Sequence, residues 1–403
     1  MGRLIVLELQ RILRRPVVRA AWLGMLVLFV LSGPLHLMMG HRTFTDDGTL
    51  VHGWPAVQLE RQRAEALNTV WTPDKVDRWL EEIRALLTDP DSVTLYPEVN
   101  PEYDLSLLVR SMYCSDYFQL FEDMEWPAAM VPVLTEKAAA QLEQYQMLVL
   151  LLHSFEVYDG DSLFEKLGCE SFACEWNEGL SGFFEVIGSQ GMVLWMALLA
   201  ALGTLGIFCS DRTSFCLDTL RASRCGQTKL ALARMAAAGL YGAGCAVVWC
   251  GAVLLGCLSV FGTGGWNTPA FALYTSSVIQ LPDCTGGQLL LLVLGMVTLG
   301  CIGCAMATAL VSAVCRSGYG AFFLTAALAF LFLFFSSIGS MEGPVVTVRT
   351  AGMLNPLSLV IYQNILYYVQ SVGSWYLPAI CTIVALECAA CTVGAVVLHC
   401  KRP

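Results

Sequence analysis

The sequence predicts an all-α integral membrane protein: six transmembrane helices, an N-terminal interfacial elbow helix, and a large helical extracellular insert between spans one and two. Three observations carry this. Hydrophobic residues make up 56% of the 403-residue chain and charged residues only 14%, whereas a soluble domain is about 45–50% apolar and about 25% charged. Six apolar runs reach the roughly 20 residues that cross a hydrocarbon core. The cations cluster in short segments that alternate with those runs.

The runs are residues 17–38, 184–209, 233–261, 287–311, 320–338 and 377–399. The first has a long basic flank and no small-x-small cleavage site after LSGPLHLMM, so it reads as a retained span rather than a secretory signal. With the N-terminus inside, the cytoplasmic pieces hold thirteen cations, among them Arg3, Arg14, Arg15, Arg19, Arg221, Arg224, Lys229, Arg316 and Lys401. Only Glu8, Asp211 and Asp218 oppose them. Such concentration in short loops sets orientation, placing both termini in the cytoplasm and residues from about 40 to 185 outside. That outer stretch has 9 basic and 27 acidic residues, which accounts for the net charge of −10 and gives no footprint for nucleic acid.

Before the first span, "RLIVLELQRILRRP" forms an amphipathic helix over residues 1–16. Ile5, Leu9 and Ile12 make an apolar stripe with Val6 and Leu13, while Glu8, Arg11 and Arg15 share a polar face, a pattern suited to the membrane interface. Pro16 ends it. The insert, residues 39–183, is domain-sized. "TPDKVDRWLEEIRALL" starts a helix at Thr72 and Pro73, with Val76, Leu80, Ile83 and Leu87 at helical spacing. "PEYDLSLLVRSMYCSDYFQLFEDMEW" and "TEKAAAQLEQYQMLVLLLHSFEVY" predict two more helices, and alternating strand patterns are scarce. The insert's acidic face suits either a cationic ligand or simple solvation.

Of 17 cysteines, most lie in the spans, where CIGC and CAAC act as small packing residues. Cys114, Cys169, Cys174 and Cys284 are the outer disulfide candidates, with pairing open. The chain has no P-loop, no H-E-x-x-H and no histidine spacing suited to a metal. The sequence therefore predicts neither a catalytic residue nor a cofactor of its own. Two membrane features stand out. Gly239, Gly242, Gly244, Gly300 and Gly303 permit close helix contact, within one subunit or between two. Glu387 lies mid-span, where a charge costs about 2.5–3.5 kcal/mol, and it marks a candidate translocation path. After residue 339, Tyr362, Tyr367, Tyr368, Trp375 and Tyr376 suggest an interfacial belt, and Asn355-Pro356 suggests the start of a short helix.

The stretch Asp211–Met235, "DRTSFCLDTLRASRCGQTKLALARM", interrupts this apolar chain as a basic helix former bent at Gly226, and residues 210–232 are its loop between spans two and three. It reads as a short helix on the cytoplasmic surface, with Leu217, Leu220 and Leu230 as apolar contacts and Arg221, Arg224 and Lys229 as charge. An ordinary positive-inside loop is the alternative. The order Asp211, Leu220, Ser223, Gly226, Lys229 and Arg234 resembles that of permease subunits of ABC-2 type ABC transporters, with Asp and Arg where the family usually has Glu and Lys. Thr285–Ser317 and "LNPLSLVIYQ" are similar to the family's fourth span and to its short outer helix.

The resemblance implies that Asp211, Leu217, Leu220, Arg221, Arg224, Gly226, Lys229 and Arg234 couple to a separate ABC ATPase subunit. ATP and Mg would be bound on that partner. It further implies a second permease subunit, identical or different, and export through the lipid bilayer. The competing reading is a non-transporting membrane immunity or sensing protein whose outer domain binds a peptide.

Overall fold

In a computed structural model, the described residues are 1–32, 34–45, 49–67, 69–88, 93–94, 133–134, 141, 145, 148, 151–152, 157, 159–175, 177–188, 190–213, 227–273, 284–338 and 354–401. The chain begins with α1 (Gly2–Leu13), α2 (Pro16–Ser32) and α3 (Pro34–Gly40). There follow β1 (Arg42–Phe44), β2 (Leu50–His52), α4 (Trp54–Leu67), β3 (Thr69–Trp71), α5 (Pro73–Thr88), β4 (Val93–Thr94), β5 (Val133–Leu134), α6 (Gly160–Leu167) and β6 (Phe172–Cys174). The remaining elements are helical: α7 (Glu178–Gly188), α8 (Gln190–Thr204), α9 (Cys209–Thr213), α10 (Thr228–Phe261), α11 (Ala270–Leu273), α12 (Gly286–Val314), α13 (Gly318–Ile338), α14 (Pro356–Val360), α15 (Tyr362–Val372) and α16 (Tyr376–Lys401). The chain divides into one unit of residues 1–33, 183–255 and 290–403, and another of residues 34–182 and 256–289.

Among the described residues, four segments are long and apolar enough to cross a membrane: Leu194–Asp211, Thr228–Phe261, Gly286–Val314 and Tyr376–Cys400. The apolar helical stretches Pro16–Val27 and Gly318–Leu331 are shorter. The first expected run, 17–38, is divided between α2 and α3, and Pro34 opens the second of these helices. The expected start of span three at residue 233 moves to Thr228, so Lys229 and Arg234 both lie on α10. A long apolar helix needs no breaker-free flank. The first turns of α10 bury Leu230, Ala231 and Arg234, so the helix starts ahead of the apolar run.

The first unit is held by close backbone approaches in which glycine is required. A Cβ at Gly242 of α10 would lie 2.5 Å from the Cys301 carbonyl oxygen of α12. Gly300 and Gly303 of α12 receive α14, with Pro356 O 2.7 Å and Pro356 Cβ 2.6 Å from the positions their Cβ atoms would take. These contacts are within the chain, as small-residue packing between apolar helices requires. Gly244 meets nothing within 4 Å. Asn355 caps α14, its Oδ1 accepting from Ser358 N at 3.0 Å. Tyr362 is fully buried and donates its hydroxyl to Phe184 O at 3.0 Å. Tyr376 is buried too, so of the expected aromatic belt Trp375 alone among the described side chains is strongly exposed.

The second unit is mixed rather than purely helical. Three short antiparallel pairs form, β1 with β2, β3 with β6 and β4 with β5. In β3 and β6, Thr69 faces Cys174 and Trp71 faces Phe172. A core joins Trp71, Trp79, Leu80, Ile83, Leu163, Phe172 and Phe271. Helix α5 begins at Pro73 and buries Val76, Trp79, Leu80 and Ile83 on one face. Its Asp77 carboxylate accepts from Gly160 N at 2.7 Å, which fixes the start of α6. Tyr145 donates to the Glu82 carboxylate, and burial first, then that carboxylate, raises the phenol's pKa. The expected helix over 101–126, and most of the one over 135–158, lie outside the described residues.

Candidate functional site

The site forms where α1, α9 and α10 meet. Helix α8 ends at Thr204, whose hydroxyl donates back to Ala200 O at 3.2 Å and Ala201 O at 3.1 Å. A turn through residues 205–208 then leads into α9. The Ser312 hydroxyl of α12 accepts from both Phe208 N at 3.1 Å and Cys209 N at 3.2 Å. Two backbone donors freed by the turn are thereby satisfied in a buried place, and the position of Asp211 is fixed relative to α12.

Four charged side chains close a ring there. Arg11 Nη2 donates to Asp211 Oδ1 at 2.5 Å, and to Ser210 Oγ at 3.0 Å. Arg11 Nη1 reaches Glu8 Oε2 at 3.5 Å. Arg234 Nε reaches Glu8 Oε1 at 3.4 Å, and Arg234 Nη2 donates to Asp211 Oδ2. Each carboxylate therefore gives one oxygen to each guanidinium, and positive and negative groups alternate. Arg234 is only 1% exposed and Asp211 only 3%. The Arg234 guanidinium also lies over the Phe208 ring, 5.4 Å from its centre, and the ring of the buried His399 is 5.8 Å from that of Phe208. Arg234 Nη1 is buried without a hydrogen-bond partner among the described residues.

The electrostatics follow from this alternation. Burial alone would lower the pKa of Arg11, but the Asp211 and Glu8 carboxylates outweigh it and raise the value. Arg15, outside the ring, is lowered by burial and by repulsion from Arg11. It finds its partner in a carbonyl, donating from Nη1 to Gly203 O at 3.3 Å. Opposed pairs make the ring neutral as a whole. Removing one member leaves a buried charge uncompensated, a loss of about 3–5 kcal/mol for such a pair. The ring has no nucleophile and no proton donor poised on a substrate. What it can do is hold three helices in one arrangement, or release them together.

The ring corrects part of the expected face of α1. Glu8 and Arg11 point inward beside the fully buried Ile12, while Val6 and Leu13 are exposed. The charged face packs together with the expected stripe, of which Ile12 is buried and Ile5 and Leu9 are half-buried, because its counter-charges, Asp211 and Arg234, lie under it. Sequence reasoning selected Asp211 and Arg234 but missed Glu8 and Arg11 as their partners. A signal existed: Glu8 is the single acid in the first 45 residues of the chain.

Of the remaining expected site residues, Lys229 is exposed and outside the ring. Leu217, Leu220, Arg221, Arg224 and Gly226 lie outside the described residues. Glu387 does not join the ring. It sits on α16 twelve residues before His399, about 18 Å along the helix axis, and its Oε2 is buried with no hydrogen-bond partner among the described residues. Among the described residues, no three His, Cys, Asp or Glu side chains are grouped to hold a metal. No family model matches the chain, nor does any curated protein or solved structure.

Proposed function

We propose that this chain is the membrane-spanning permease subunit of an ABC transporter, an exporter driven by a separate ATPase subunit. Its six spans would comprise the four long apolar segments together with α2–α3 and α13. Both termini would be cytoplasmic. The observation that carries the reading is the ion ring: it joins Asp211, at the start of segment 210–232, and Arg234, two residues past its end on α10, to each other and to α1. A segment that receives force from a soluble partner has to be stiffly joined to the helices it moves, and a closed ring of buried charges provides such a joint. Residues Leu217, Leu220, Arg221, Arg224, Gly226 and Lys229 then form the surface offered to the ATPase.

ATP-driven closure of the ATPase subunits would displace this segment and tilt α8 and α10 between two arrangements, a rigid-body switch. A second permease subunit would complete the path, and Glu387 would line it. The test is to look for a P-loop ATPase encoded beside the chain, purify the two together and measure ATP hydrolysis with and without the permease. The reading predicts co-purification, and hydrolysis that responds to the permease. Leu220→Asp should abolish that response. A chain that binds no ATPase, or whose ATPase ignores Leu220→Asp and Gly226→Pro alike, would favour the immunity or sensing alternative.

A further inference from the structure

Helix α1 has a second face, and it is not used by the ring. Arg3, Val6, Leu7, Gln10, Leu13 and Arg14 are all exposed. At 100° per residue, Gln10, Arg3 and Arg14 form a narrow strip, with Val6 and Leu13 on one flank and Leu7 on the other. The apolar members are far from marginal: Val6 and Leu7 are each 53% exposed and Leu13 44%. Just beyond α1, Arg19 is also exposed, with Val17 at 62%.

We infer that this outward face of α1 is a docking surface for anionic phospholipid headgroups. Three observations commit it to that occupant. First, the face carries cations without acids. The single acid of the segment, Glu8, is turned inward and held by two guanidiniums, and among the described residues no carboxylate is paired with Arg3 or Arg14. Second, cations and exposed aliphatic side chains alternate around the same face, which water alone does not favour and a headgroup–acyl boundary does. Third, the face is continuous with α2, an apolar helix whose Leu23, Leu26 and Val27 are themselves more than half exposed. The ring fixes the rotation of α1, so the basic strip cannot roll away from the bilayer. This inference needs a membrane-embedded chain but not a transporter, and it stands or falls separately from the proposed function.

The experiment uses the full chain, purified in detergent and offered trace phosphatidylglycerol or phosphatidylcholine of identical acyl chains, with bound lipid counted by native mass spectrometry. The expected result is a preference for phosphatidylglycerol that falls at least about tenfold in the double variant Arg3→Gln/Arg14→Gln. The Arg3→Lys/Arg14→Lys variant should keep that preference, because the headgroup reads charge rather than guanidinium shape. Equal binding of both lipids by the unaltered chain would overturn the inference. So would a Gln variant that retains the preference, or a face whose neutralisation splits a dimer of the chain while leaving lipid binding intact.

Discussion

At the scale of single residues, the account rests on four charges sharing one buried ring. Asp211 and Arg234 are almost fully enclosed, so neither can fall back on water when its partner is lost. Asp211→Asn and Arg234→Gln should each lower the stability of the detergent-purified chain by about 3–5 kcal/mol, read from thermal or denaturant unfolding. The double variant should cost clearly less than the sum, with a coupling of at least about 1 kcal/mol. Arg11 has its side chain 37% exposed, so solvent screens it and Arg11→Gln should cost less than either. The charge reversal Asp211→Arg with Arg234→Asp should fail to restore stability, since it sets Arg11 against a cation and Glu8 against an anion. An isolated Asp211–Arg234 pair would tolerate that exchange, so the experiment distinguishes a ring from a pair.

At the scale of elements, the helices divide into those the sequence shows plainly and those it does not. The long apolar helices α10, α12 and α16 were legible to within a few residues because each is specified by its own unbroken composition. The start of α5 was legible for a similarly local reason, Pro73 at the first helical position. The packed face of α1 was legible only in part, because a helical wheel cannot see that Asp211 and Arg234, some two hundred residues away, supply the charges that bury its polar side as well. Strands β3 and β6 were invisible for the same kind of reason. Each has three residues, and its partner among the described residues is about a hundred residues distant. Glycine packing offers a paired test of the helix contacts. Gly242→Ala places a methyl against the Cys301 carbonyl and should destabilise by about 1–3 kcal/mol. Gly244→Ala, two residues on and facing open space, should be neutral or stabilise by up to about 1 kcal/mol. Melting temperatures of the two variants, measured side by side, check whether α10 meets α12 through that glycine.

At the scale of the whole molecule, the proposed path of the chain follows from where cations and acids fall. The unit containing the ring also contains α8, α9, α16 and most of α10 and α12, the elements that make up the four membrane-length segments. The other unit holds most of the acidic stretch between residues 40 and 185. Cations concentrated in the short segments between spans are the signal by which topology selection works, and the proposed path rests on them. The central claim is that segment 210–232 is a cytosolic lever held by the ring through Asp211 at its start and Arg234 just past its end. An epitope inserted between Gly226 and Gln227 tests it most directly, by antibody binding to intact and to permeabilised cells. The account predicts binding only after permeabilisation, while an epitope placed near residue 100 binds on intact cells. Antibody binding at residue 226 on intact cells would contradict it.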